Sequence, residues 1–130
     1  MYVKKIDWLD EVSKEAIVEV AEGIERLVCF SCPCLYKLND MLREPLECLD
    51  TQDIVSCSTV GSDIKKLEKK FSYKLKGQVK DKSKGLIDVY GFIIHINEQG
   101  IPNDIENGMF VEFITSRIDL WYCPLLQQRQ

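Results

Sequence analysis

One histidine, His95, serves the whole 130-residue chain, and none of the common catalytic signatures surrounds it. The sequence has no G-x-S-x-G, no H-E-x-x-H, no P-loop and no G-x-G-x-x-G. No nucleophile elbow, zinc-protease helix or nucleotide cradle is therefore written into it. Long apolar runs are missing as well. The longest, Leu86 to Ile96, is broken by Asp88 and His95 and falls short of the ~20 residues of a membrane-spanning helix. MYVKKIDWLDEVSKEA, at the start, carries acids early and no unbroken apolar core, unlike a secretory signal. There is no Asn-x-Ser/Thr acceptor. These absences lead to the expectation of a cytoplasmic protein without membrane association, whose six cysteines are thiols or metal ligands and not a disulfide framework.

With only seven Gly and four Pro against 45% apolar residues, the composition is that of a folded globular chain. Its length fits a single domain, expected over residues 1–126 with a frayed tail at 127–130.

Period-two patterning dominates what is present. Tyr2 to Leu9 reads as a first strand. EAIVEVAE (Glu15 to Glu22) and IERLVCFS (Ile24 to Ser31), separated by Gly23, read as a hairpin. LECLDTQDIVSCS (Leu46 to Ser58) reads as two strands interrupted at Asp50 to Asp53. Tyr73, Leu75 and Val79 alternate with Lys74, Lys76, Gln78 and Lys80, which predicts a strand with one buried and one wet face. Leu86 to Asn97 is apolar on both faces, and Gly91 within it predicts a bulge or sharp bend in one strand. Met109, Val111 and Phe113 share a parity that passes to Ile114, Ile118 and Leu120, which predicts a kink near Thr115 or a strand crossing between sheets. In SDIKKLEKKF, Ile64, Leu67 and Phe71 recur at helical spacing behind Ser62 as N-cap, which predicts one short α-helix.

Together these patterns predict a mainly β fold, a small closed or nearly closed barrel with one short helix. NGMFVEF (Asn107 to Phe113) resembles the turn and first residues of a late strand in OB-type barrels. That resemblance implies an OB-like barrel and a binding function.

Three cysteines crowd into CFSCPC. Cys29, Cys32 and Cys34 could supply three thiolates to zinc, but tetrahedral sites use a second pair, and Cys48, Cys57 and Cys123 stand isolated. A redox Cys-x-x-Cys would need a following helix to lower the thiol pKa. Burial of cysteine as a small apolar residue is the favoured expectation. His95 could act as a base only beside a nucleophile and an orienting acid. Asp88, on the opposite parity of the same predicted strand, should not reach it.

Charge is unevenly placed. Residues 61–85 hold nine lysines against Asp63, Glu68 and Asp81, a net of +6 that leaves −10 on the rest of a chain of net −4. Lys65, Lys66, Lys69, Lys70, Lys74, Lys76 and Lys80 could neutralise phosphates. The wet strand face lacks the aromatics of single-strand binders, however, and the chain is acidic overall. The acidic remainder, with Glu19, Glu22, Glu25, Glu44, Glu47, Asp50 and Asp53, suits a basic protein partner. The sequence thus predicts a non-enzymatic module without cofactor that binds a protein through an acidic surface. The alternatives are an OB-like nucleic-acid binder using the lysines and a zinc-stabilised domain using Cys29, Cys32 and Cys34.

Overall fold

A computed structural model describes residues 1–96 and 100–120. Cys123, Asn97 and the expected tail at 127–130 lie outside the described residues. The order of elements is β1 (Tyr2–Asp10), β2 (Glu15–Glu22), β3 (Glu25–Ser31), β4 (Leu46–Leu49), β5 (Gln52–Cys57), β6 (Asp63–Lys66), β7 (Tyr73–Asp81), a 3-10 turn (Lys82–Lys84), β8 (Leu86–Val89), β9 (Phe92–Ile96), β10 (Phe110–Thr115) and β11 (Arg117–Asp119). The mainly β class expected from period-two patterning is the observed one. All strands join one sheet in the order β1-β2-β3-β11-β4-β9-β8-β7-β10-β5, with β6 added beside β7. No ladder joins β1 to β5 among the described residues, so the sheet is open along its hydrogen-bonded path.

The path nevertheless meets one piece of chain twice. β10 and β11 are the two halves of a single strand bent at Ser116. Its first half pairs with β7 and β5, and its second half pairs with β4 and β3. The apolar parity does change there, since Val111, Phe113 and Thr115 are buried before the bend and Ile118 and Leu120 after it. The sheet therefore curls, and its concave side holds one core that includes Val18, Val20, Leu27, Leu75, Ile87, Phe92, Ile94 and Phe113. Tyr73, Leu75 and Val79 point into this core as the lysine alternation requires.

Two expectations need correction. Residues 63–71 form no helix. Asp63–Lys66 is β6, paired antiparallel with Tyr73–Lys76, and the Leu67 amide bonds to the Ser72 carbonyl to close a hairpin. A helix of this length is marginal by itself, whereas the strand fills an available edge. β10 occupies one edge of β7, while β8 covers the other only from Gln78 onward, leaving Tyr73–Lys76 for β6. Gly77 stands at this junction, where a Cβ would overlap the Asp88 carbonyl oxygen. Ser62, expected as an N-cap, instead accepts the Tyr90 amide at 3.0 Å.

The segment from Leu86 is likewise not one bulged strand but a tight hairpin. Tyr90 and Gly91 both have positive φ, 53° and 95°, as a two-residue primed turn demands. The turn restores parity, so Asp88 and His95 share the outer face, with Asp88 opposite Ile93 and His95 opposite Leu86.

The register can be tested at three adjacent positions. Leu75→Ala should cost about 2–5 kcal/mol as a buried truncation, and Lys76→Ala under about 0.5 kcal/mol as a surface change. Gly77→Ala should destabilise more than Lys76→Ala, because its Cβ would overlap the Asp88 carbonyl and crowd the Val89 side chain. Denaturant titration of the three variants measures this, and similar losses for Leu75→Ala and Lys76→Ala would mean the register is wrong.

Candidate functional site

The outer face of the sheet carries a row of residues opposite one another across five strands: Phe30, Asp119, Glu47, His95 and Leu86. Alternation along each strand aims all five away from the core, and all are half-buried. His95 Nδ1 lies 2.7 Å from Glu47 Oε2. Arg117 grips Asp119 with two bonds, 2.7 and 2.9 Å long, and its guanidinium stacks 4.4 Å from the centre of the Phe30 ring. The bonds to Asp119 hold the Arg117 pKa above its ordinary value. His95 thus gains an orienting acid, supplied by β4 and not by Asp88. Only the β4/β9 register brings it there, so no local sequence signal could have shown it. Chemically the row can present an oriented imidazole, but among the described residues no nucleophile is bonded to it.

The lysine set divides. Lys65, Lys74, Lys76 and Lys80 stand on the outer face of β6 and β7. Lys66 turns to the hairpin loop, where its ammonium donates to the Leu67 and Lys69 carbonyls, both at 2.7 Å. Lys69 and Lys70 belong to that loop, with Lys70 over the Phe71 ring. Lys74 pairs with Glu112 at 3.2 Å, and Lys76 donates to the Thr59 hydroxyl at 2.5 Å. β10 adds what the wet face of the lysine strand lacks, an aromatic: half-buried Phe110, opposite Gln78 on the same face.

The clustered cysteines separate. Cys29 and Cys34 are buried and Cys32 is exposed. Among the described residues no three His, Cys, Asp or Glu side chains gather as metal ligands. Burial pushes the Cys48 thiol up to about 12, with Thr115 opposing that shift and Glu47 and Asp119 adding to it. Burial first, then Cys48 and Asp119, also raises Cys29 well above its ordinary value.

The expected acids are dispersed into pairs. Glu19 meets Arg26 at 3.7 Å, Glu22 meets the amino terminus at 2.5 Å, and Asp50 accepts the Ser116 hydroxyl at 3.0 Å. One end of the fold nevertheless gathers three loops. Gly91 lies close against Glu22, where an added Cβ would come within 2.9 Å of Glu22 Cγ, and Tyr90 bonds to Ser62. Each loop presents an apolar side chain to solvent: Ile24 is 91% exposed, Val60 84% and Tyr90 41%. Around them the carboxylates of Glu22, Glu25, Asp63 and Asp88 face three cations, Arg26, Lys76 and the amino terminus bound to Glu22.

Fold and surface together define a small β-sheet protein with apolar loop tips and charged outer faces. Comparison with protein families, with curated proteins and with solved structures gives no match.

The thiol environments predict an order of reaction. Because the thiolate is the nucleophile, a raised pKa suppresses alkylation. Near pH 8, about the ordinary thiol range, Cys32 should be alkylated first among the described cysteines, while Cys29 and Cys48 react only after unfolding. Peptide mapping after timed alkylation reads this, and early labelling of Cys48 would contradict its burial.

Proposed function

We propose that this chain is a non-enzymatic, cytoplasmic interaction module on an OB-like barrel, and that it binds a basic protein partner through the loop end bearing Ile24, Val60 and Tyr90. The OB-like reading draws support from the bent strand shared by both halves of the curled sheet. One observation carries the binding reading: three loops far apart in sequence converge, and each ends in an exposed apolar side chain. Grouped apolar exposure with a polar rim is a feature of protein-binding surfaces, and the surplus of carboxylates favours a basic partner.

Tyr90 adds a second pointer. Its φ of 53° is a region that bulky side chains seldom adopt. Strain of this kind costs on the order of 1 kcal/mol and concentrates at working surfaces. Tyr90→Asn should therefore raise stability by about 1 kcal/mol, since Asn tolerates this conformation, while weakening the partner. Ile24→Ser, Val60→Ser and Tyr90→Ser together should weaken partner binding by at least roughly tenfold, the scale of apolar hot spots, with folding retained. A partner recovered from native extract and then purified supplies the titration. Equal affinity for wild type and triple variant would refute this surface.

A nucleic-acid reading is favoured by one observation, the placement of Phe110 beside Lys74, Lys76 and Lys80. Its test is the variant Lys74→Glu, Lys76→Glu, Lys80→Glu. On the protein-partner reading, neither wild type nor variant binds single-stranded RNA tighter than about 1 μM at physiological salt. Tighter binding lost in the variant would transfer the function to the lysine face. Zinc through Cys29, Cys32 and Cys34 has the weakest support, because their side chains divide between core and solvent.

A further inference from the structure

The two edges of β10 end in different structures, and a cleft lies between them. On one edge, Gln52 opposite Ile114 continues the register that sets Leu49 opposite Arg117, so β4 and β5 follow the bent strand as one line broken at Asp50. On the other edge, β7 begins with Tyr73 opposite Thr115, just after the hairpin loop closed by Leu67 and Ser72. Extended by one residue, the two registers put Asp50 and Ser72 on either side of Ser116. Both contacts are made. The Ser116 hydroxyl donates to Asp50 Oδ2 at 3.0 Å, and the Ser72 hydroxyl donates to the Ser116 carbonyl at 3.4 Å. Over Ser116 and Ile114 stands a cleft of about 260 Å³, with Asp50 and Gln52 on one wall and Leu67, Glu68 and Lys69 on the other.

Ser72 says most about what the cleft would hold. It lines the space yet is only 5% exposed. Its hydroxyl makes that one long contact, and among the described residues no donor reaches its lone pairs. A hydroxyl buried in this way lacks a donor. The charges point in the same direction. Asp50 and Glu68 face only Lys69 within the lining, a net of −1. Lys74, beside Ile114 in the ladder, is already held by Glu112 at 3.2 Å, and Arg117, next along the chain, is held by Asp119. A bare metal ion is poorly matched, since among the described residues no three His, Cys, Asp or Glu side chains gather as ligands. Ile114 and Leu67 supply an apolar surface that such an ion would not use. A donor-rich cation with a short apolar tail suits every part of the lining.

We propose that this cleft binds a small aliphatic amine, its ammonium over Ser116 donating to Asp50 and Ser72 and its methylenes lying on Ile114 and Leu67. The cleft is at the Leu67 end of the β6–β7 hairpin, whereas Tyr90 meets Ser62 at the other end, so this proposal and the loop-end surface can fail separately. A ligand of so few atoms binds with Kd on the order of 1 mM.

Amide chemical-shift titration of the folded protein with butylamine at low salt tests it. Saturable shifts at Asp50, Gln52, Ser72 and Ser116 are expected, and methylamine, which lacks the tail, should bind at least about threefold more weakly. Asp50→Asn introduces a residue that tolerates the φ of 50° at this position and should weaken butylamine about fivefold. Lys69→Ala removes a like charge from the wall and should tighten it about twofold, both being on the scale of one exposed charge pair. The spectrum of each variant reports its fold. A capped lysine amide carries the same ammonium on a peptide. Affinity equal to that of butylamine would assign the cleft to a polypeptide lysine, and weaker binding to a free amine. Absence of saturation by about 20 mM, well above that Kd, would overturn the proposal. So would shifts spread over surface carboxylates without preference for the cleft, butyrate binding as tightly as butylamine, or an affinity indifferent to both substitutions.

Discussion

The carbonyl of Leu49 holds the bend on which the fold depends. It accepts the Thr115 hydroxyl at 2.7 Å, the Ser116 amide at 3.1 Å and the Ser116 hydroxyl at 3.3 Å. Thr115 is fully buried, and a buried hydroxyl without a partner costs about 1–3 kcal/mol. The last residue of β4 is thereby fixed to the point where β10 becomes β11. The ladder that leaves β10 through β7, β8, β9 and β4 returns to its own continuation. Every outward row is set by that return, including the Phe30 to Leu86 row and the opposition of His95 to Glu47.

Alternation was legible in the sequence where it was strict. YKLKGQVK shows which side chains enter the core, and the parity change after Phe113 shows the bend. The hairpin of β2 and β3 was marked by Gly23 between two β-rich runs. What failed was local in a different way. SDIKKLEKKF has a helical stripe, but its conformation is decided by an edge of β7 that becomes available only after β8 stops at Gly77. Tyr90-Gly91 is a turn because both residues take positive φ, and a tyrosine does not announce that.

The candidate surfaces were less legible than the fold, because each is assembled across strands. No pattern within β7 reveals Phe110, and no pattern within β9 reveals Glu47. The acids grouped by sequence position disperse into pairs with Arg26, the amino terminus and Ser116. Exposure of Ile24, Val60 and Tyr90 is individually unremarkable, and only the Gly91–Glu22 approach and the Tyr90–Ser62 bond make it a shared surface. The lysines show the converse, as one sequence cluster divides between an outer face and a loop.

If the bent strand unites the sheet, its two halves cannot open separately. Native-state hydrogen exchange across a denaturant series measures this at residue level. The account predicts that amides of β7 and β10 and those of β4 and β11 merge into one global unfolding isotherm, because a single segment serves both groups. Exchange of β4 and β11 through a lower-energy opening that leaves β7 and β10 protected would contradict it.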